Sequence, residues 1–379
     1  MGVAGFAVVG VAFGMARYCY GLTLPEIRQD LGLTDLVLGV IASASFVGYL
    51  AGLLLSRPLA ARRGPRAPTT LGGACAVVGC VVVALAPSAP VVAVGAVLSG
   101  SAAGWVWAPY LDIVERLAAE RDRPRLLALI STGIGAGLVL LGAVALATAG
   151  GAWRLAWAGV AVAAALALTA NLRFVPRLPA IATPADGLGA RSLLGTAALS
   201  PLAFVTVAFA ACTLYLLYAA DAALSGGLDP SAVAVLYVVF GVAGLVALVA
   251  SRLVAALGAG RLAAICLAGF GLSLAALGLL SSNLAAVIAS AALFGATYMT
   301  GSAVVSIWVT QVFPGRSATA FTGLFVAGAL ASIVTPTAVG AALGVTDLRT
   351  VLVVSAVATV ATAVVIGAVE ARVAPPTAG

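Results

Sequence analysis

A chain of 379 residues of which 63% are hydrophobic and 8% charged cannot be an ordinary soluble domain, where about a quarter of residues carry charge. A mean hydropathy of +1.20, in continuous apolar runs near twenty residues, also excludes an outer-membrane barrel built from alternating segments of about ten. The net charge of +7 comes from 19 basic residues, all arginine, against 12 acids, and membrane topology accounts for it without a nucleic-acid partner.

Matched to the ~20 residues needed to cross a bilayer, the apolar runs predict an all-α polytopic membrane protein with twelve transmembrane helices. Their limits are 3–24, 36–56, 69–87, 90–112, 126–149, 152–174, 195–220, 230–251, 261–281, 284–310, 318–343 and 349–369. No cleaved signal peptide is expected, because no basic segment precedes the first run and that run is too long. The longest connection, RFVPRLPAIATPADGLGARS, divides the chain into a six-helix bundle over 1–174, a cytoplasmic linker over 175–194 and a second six-helix bundle over 195–379.

With the N-terminus inside, the inner loops and C-terminus hold most of the arginines, including Arg57, Arg62, Arg63, Arg66, Arg116, Arg121, Arg123 and Arg125. The outer side holds only Arg28, Arg154 and Arg349. This positive-inside asymmetry places both termini in the cytoplasm.

The first helix carries Arg17 in FGMARYCYG, a permanent cation in an apolar run. A charge at the centre of a membrane helix costs at least ~3 kcal/mol, so it normally faces a protein-lined cavity. Helical spacing sets Phe13 and Tyr20 on the Arg17 face. Guanidinium grips carboxylates bidentately, so Arg17 points to an anion or a zwitterion as cargo. The other reading is structural: Arg17 snorkels to the interface or binds carbonyls and tyrosines across the bundle.

Later helices add aromatics on single faces: Tyr215 and Tyr218 in the seventh, Tyr237 in the eighth, and Tyr298 with Trp308 in the tenth. Together with Arg17 and Tyr20 they are the candidate substrate-binding residues. Each also fits a packing or interfacial role, Tyr218 and Tyr237 especially. Among acids, only Asp112 and Asp221 lie near the membrane core; Asp112 is also placed to pair with Arg116 one turn on, and Asp221 also reads as ordinary loop charge.

The chain has no histidine, and its five cysteines all fall inside predicted spans, where they behave as small hydrophobes. Without histidine or paired intramembrane acids there is no metal cluster, and the short loops offer no catalytic platform, so neither an enzyme nor a bound cofactor is expected. A channel would need a filter-like loop, which is not seen.

The turn after the second helix, Ser56-Arg57-Pro58-Leu59-Ala60-Ala61-Arg62-Arg63-Gly64-Pro65-Arg66, matches Ser251–Arg261 after the eighth at five of eleven positions, at a constant offset of 195. A weaker echo joins Pro124-Arg125 to Pro314-Gly315-Arg316. Repeated halves of this kind mark transporters, with the site between them.

Twelve helices in two parallel halves and the basic turn Leu59-Ala60-Ala61-Arg62-Arg63-Gly64-Pro65-Arg66 resemble the major facilitator superfamily. The opening GMARYCYGLTLPEIRQDLGLTDLVLGVIASASFVGYLAG is similar to one bacterial branch of it, mostly of unassigned substrate. The match departs at Ala61, where the family carries an Asp of the inner-gate charge network. That leaves Arg62 and Arg66 with Asp112, Glu115 and Asp221 as coupling or gating candidates. The resemblance implies two pseudo-symmetric six-helix bundles, working as a monomer in the cytoplasmic membrane of a bacterium. The expected function is alternating-access transport of a carboxylate-bearing anion or zwitterion. Uniport, exchange against a counter-anion, and a proton carried with the substrate all stay open. The alternative is proton-driven export of drugs or secondary metabolites, which would show a large, apolar cavity.

Overall fold

The computed structural model describes residues 1–148, 152–180, 196–314 and 317–373. Twelve helices are long and apolar enough to cross a membrane: α1 (Gly2–Leu31), α2 (Asp35–Arg63), α3 (Arg66–Ala84), α4 (Ala89–Leu117), α5 (Glu120–Ala147), α6 (Trp153–Phe174), α7 (Ala198–Ser225), α8 (Pro230–Leu257), α9 (Ala259–Leu279), α10 (Leu284–Val312), α11 (Ala320–Ala342) and α12 (Leu348–Arg372). There is no strand among the described residues.

Each expected span is present, but α1, α2, α4, α7 and α8 run five to seven residues past the ends of their apolar stretches. Hydropathy fades where water begins, whereas a helix continues until a terminator is reached. For α1 the terminator is Gly32 at φ +62°, with the Leu33 amide returning to the Arg28 carbonyl at 3.1 Å. Side-chain caps start some of the helices that follow. Thr34 caps α2, Asp229 caps α8 through the Ser231 amide at 2.8 Å, and Asp347 caps α12 through the Thr350 amide at 2.7 Å. The Ser231 hydroxyl and amide hold the Asp229 carboxyl below its usual range, and Thr350 does the same for Asp347.

Helices α1–α6 pack among themselves, mainly α1 on α5, α2 on α4, and α3 on α4 and α6; α7–α12 form a second set, with α9 on α10 and α12, and α7 on α11. The sets meet along three seams, α2 on α11, α5 on α8 and α1 on α7. Glycines bring these seams together. Gly21 faces the Leu216 carbonyl, Gly39 the Pro336 carbonyl and Gly340 the Asp35 carbonyl, while Gly135 meets Gly241 near the middle. All of these approaches lie between the centre and the end that carries Arg28, so the two sets are sealed there.

The internal echo has a structural counterpart. Gly64 closes α2 at φ +80°, ψ 163°, and Gly258 closes α8 at φ +82°, ψ 152°. Side chains rarely adopt this conformation, so both turns require glycine. The two glycines are 194 residues apart, so the structural equivalence is one residue out of step with the sequence match. Of the expected linker, residues 175–180 are described. The Leu178 carbonyl lies against Gly64, and Arg116 donates to the Pro179 carbonyl at 3.0 Å. Residues 181–194, and Gly315-Arg316 of the weaker echo, lie outside the described residues.

Candidate binding site

Helix α1 is not a uniform helix. Residues Gly10–Ala16 form wide π-helical turns, and regular winding resumes at Cys19. Wide turns of this kind change the rotation per residue and recur at functional sites. Here they bring Tyr18, rather than Tyr20, to the side of Arg17. The guanidinium carbon sits 4.6 Å from the ring centre of Tyr49, 5.2 Å from Phe46, 5.9 Å from Phe13 and 6.0 Å from Tyr18. The nearest electrostatic neighbours of Arg17 are tyrosines and the Cys212 thiol, and no carboxylate pairs with it among the described residues. Its Nε is buried with no hydrogen-bond partner.

Arg17 lines a narrow cavity of about 30 Å³, together with Tyr18, Tyr20, Ser45, Phe46 and Cys212. At its edge the hydroxyls of Tyr18 and Tyr298 meet at 2.9 Å, joining α1 to α10 across the two sets. Beyond Tyr298 a second, aromatic cleft opens among α7, α9, α10 and α11. From there Ser302, Ser306 and Thr310 run along one exposed face of α10 toward the end opposite Arg28. Each hydroxyl donates to a carbonyl of its own helix, Ser302 to Tyr298 at 3.0 Å, Ser306 to Ser302 at 3.4 Å and Thr310 to Ile307 at 2.6 Å.

At the sealed end, Arg28 of α1 forms a bidentate pair with Asp221 of α7, both bonds 2.8 Å, and reaches Asp35 of α2 at 2.8 Å. Asp221 is 90% shielded on its side chain. The Ser43 and Thr337 hydroxyls, 2.7 Å apart, tie α2 to α11 below it. The Tyr218 hydroxyl lies buried under the ion cluster without a hydrogen-bond partner.

The family model for the Major Facilitator Superfamily matches residues 6–250. The chain belongs to the Major Facilitator Superfamily. Solved structures of similar fold are a partially occluded inward-open form of the xylose transporter XylE from E. coli, a POT family transporter in complex with 5-aminolevulinic acid and a mutant of the nucleoside transporter NupG. XylE aligns with TM-score 0.78 and 15% identity over 100% of this chain and 98% of its own. The POT transporter gives 0.77 and 13% over 99% and 96%, and NupG 0.75 and 13% over 97% and 99%. At these identities the likeness carries the fold alone. No curated protein matches the sequence.

Within this superfamily fold the sequence candidates separate into groups. Arg17, Tyr20 and Tyr298 stand at the two cavities, although the Tyr20 hydroxyl is committed to the Leu38 carbonyl at 3.0 Å. Tyr215 is stacked on Phe294 at 4.0 Å with its hydroxyl on Ser290, Tyr237 donates to the Leu216 carbonyl, and Trp308 packs edge-on against Phe204. These three serve the packing of the second set. Of the gating candidates, Asp221 belongs to the ion cluster, Arg66 donates to the Leu172 carbonyl at the end of α6, and Arg62 and Glu115 are exposed. Asp112 is half-buried and forms no ion pair with Arg116 among the described residues. Sequence reasoning missed Tyr18, Phe46, Tyr49, Arg28 and Asp35. For Phe46 and Tyr49 a signal existed: three apart, they share one face of the second helix, as partners for an intramembrane cation should.

Proposed function

We propose that this superfamily member is a secondary transporter moving a small carboxylate-bearing anion or zwitterion across the cytoplasmic membrane of a bacterium by alternating access. The observation that carries the reading is a guanidinium at a cavity in the middle of the bundle, ringed by aromatic side chains and paired with no acid among the described residues. Rings stabilise the cation without neutralising it, so a charge vacancy is left that a bidentate carboxylate fills.

The bundles 1–174 and 195–379 rock about this site, as a monomer. In this reading both termini face the cytoplasm, as the arginine asymmetry favours, and the sealed Arg28 end faces outward. Among the described residues no acid pairs with Arg17. Transport in this reading runs as uniport, as exchange against another anion, or with a proton carried on the cargo's own carboxylate.

The test is thermal stabilisation of purified protein by carboxylates, neutral metabolites and cationic drugs, repeated on Arg17→Ala. A ligand at ~100-fold excess over its dissociation constant raises stability by about 2.7 kcal/mol. Carboxylates should stabilise the wild type and fail on the variant. Stabilisation by cationic drugs alone, unchanged in Arg17→Ala, would transfer the assignment to drug export.

A further inference from the structure

The aromatic cleft beyond Tyr298 has no part in holding an anion, and the hydroxyls around Arg17 are already engaged. Ser45 donates to the Ala42 carbonyl at 2.7 Å, Thr213 to Ser332 at 2.8 Å and Tyr20 to the Leu38 carbonyl at 3.0 Å. A multiply charged cargo would bring a second anionic group into this cavity and find no free donor for it. Among these groups, Arg17 and the Tyr18–Tyr298 pair are the donors left to offer an anion.

The second cleft has the opposite chemistry. Phe204, Phe209, Phe270 and Phe325 wall it, Tyr298 stands at its inner edge and Ser302 is its one other polar residue; its free space is about 30 Å³, so a guest enters only as a wall ring turns aside. Phe209 meets Phe325 edge-on at 5.3 Å, and Trp308 backs Phe204. Phe209 and Phe325 are only partly buried, so these two rings are free to turn aside for a guest. Edge and face contacts of this sort favour another ring or a branched alkyl group.

We propose that the cargo is an amphipathic monocarboxylate, its carboxylate on Arg17 and its apolar body, an aryl or branched alkyl group, in the Phe204–Phe325 cleft. The proposal rests on the anion reading above and narrows it. Between the two subsites the Tyr18 and Tyr298 hydroxyls now satisfy each other. Parted by the cargo, both are free to donate to its carboxylate oxygens.

The experiment measures affinities of detergent-purified, full-length protein for acetate, succinate, phenylacetate, 3-phenylpropanoate and the neutral 3-phenylpropan-1-ol. A ring that buries on the order of 60 Å² of apolar surface, at about 25 cal/mol per Å², binds roughly tenfold tighter. The aryl carboxylates should therefore exceed acetate and succinate by about that factor or more. Ala208→Leu, which fills the cleft, and Phe325→Leu, which thins its wall, should each erase the aryl advantage and leave acetate unchanged. Arg17→Gln should abolish binding of every carboxylate.

If acetate or succinate binds as tightly as the aryl acids, and Arg17→Gln still removes them, the cleft assignment is overturned and the anion reading survives. If the aryl advantage persists in both cleft variants, the body lies elsewhere and the assignment also fails. If 3-phenylpropan-1-ol binds as well as its acid, or Arg17→Gln binds like the wild type, both readings fall.

Discussion

Arg17 holds its charge in the membrane because four rings stand within about 6 Å of it, each able to contribute on the order of 0.5–2 kcal/mol of cation–π attraction. Ring and charge make separable contributions here. Arg17→Lys keeps the charge but loses the planar fork that grips a carboxylate, so carboxylate affinity should fall at least about tenfold while the protein still folds. Tyr49→Phe keeps the ring and removes one hydroxyl, so affinity should change by only a few-fold; Tyr49→Leu removes the ring and should lower thermal stability by about 1–3 kcal/mol. Isothermal titration and thermal unfolding on the three variants give the ranking. A loss in Tyr49→Phe as large as that in Arg17→Lys would mean the hydroxyl, and not the guanidinium, orients the anion. The cation itself was legible in the sequence because a lone charge in an apolar run is conspicuous. Its cage was not. Phe46 and Tyr49 come from another helix, and the wide turns at Gly10–Ala16 rotate Tyr18 into the place that regular spacing assigns to Tyr20.

The helices show which glycines hold a bundle together and which hold a conformation. Gly14 lies against the Ile134 carbonyl and Gly137 of α5, inside one six-helix set. Gly21, two turns along the same helix, lies against the Leu216 carbonyl of α7, in the other set. A methyl group has no room at either position. At Gly14 the clash exists in every state, so Gly14→Ala should lower the melting temperature, by an amount in the overpacking range of about 1–3 kcal/mol. At Gly21 the clash exists only while the Arg28 end is shut, so Gly21→Ala should cost less in melting temperature and open that end instead. Comparing melting curves with thiol labelling of Cys212, which lines the Arg17 cavity, separates the two effects. Equal melting losses without any change in labelling would show α1 and α7 to be permanently joined. Helix number and limits were legible because twenty apolar residues leave few alternatives. Helix ends were not, since α1 and α2 continue through polar residues to Gly32 and Gly64, where backbone conformation decides.

For the whole molecule, the described residues join the two sets at one end through packed glycines and an ion cluster, and one sequence cannot reveal the latter. Arg28 and Asp35 read as loop charges and Asp221 as a loop or coupling acid; nothing in their spacing announces a pair formed across 193 residues. In the fold Arg28 spans three helices and locks α1 and α2 of one set to α7 of the other. Its side chain is 28% exposed and that of Asp221 10%, so the pair is worth more than a surface bridge and less than a dry one, about 1–2 kcal/mol. Asp221→Asn keeps the shape and removes the charge, and should therefore raise the population open at this end by roughly five- to thirtyfold. An impermeant thiol reagent applied from the Arg28 side, on protein whose other cysteines are replaced, should label Cys212 faster by that factor. High salt should quicken wild-type labelling in the same direction and add little in Asp221→Asn, because partly exposed charges are screened and absent ones are not. An unchanged rate in Asp221→Asn would leave closure to the glycine seams at Gly21, Gly39 and Gly340, and the ion cluster would then serve folding rather than gating.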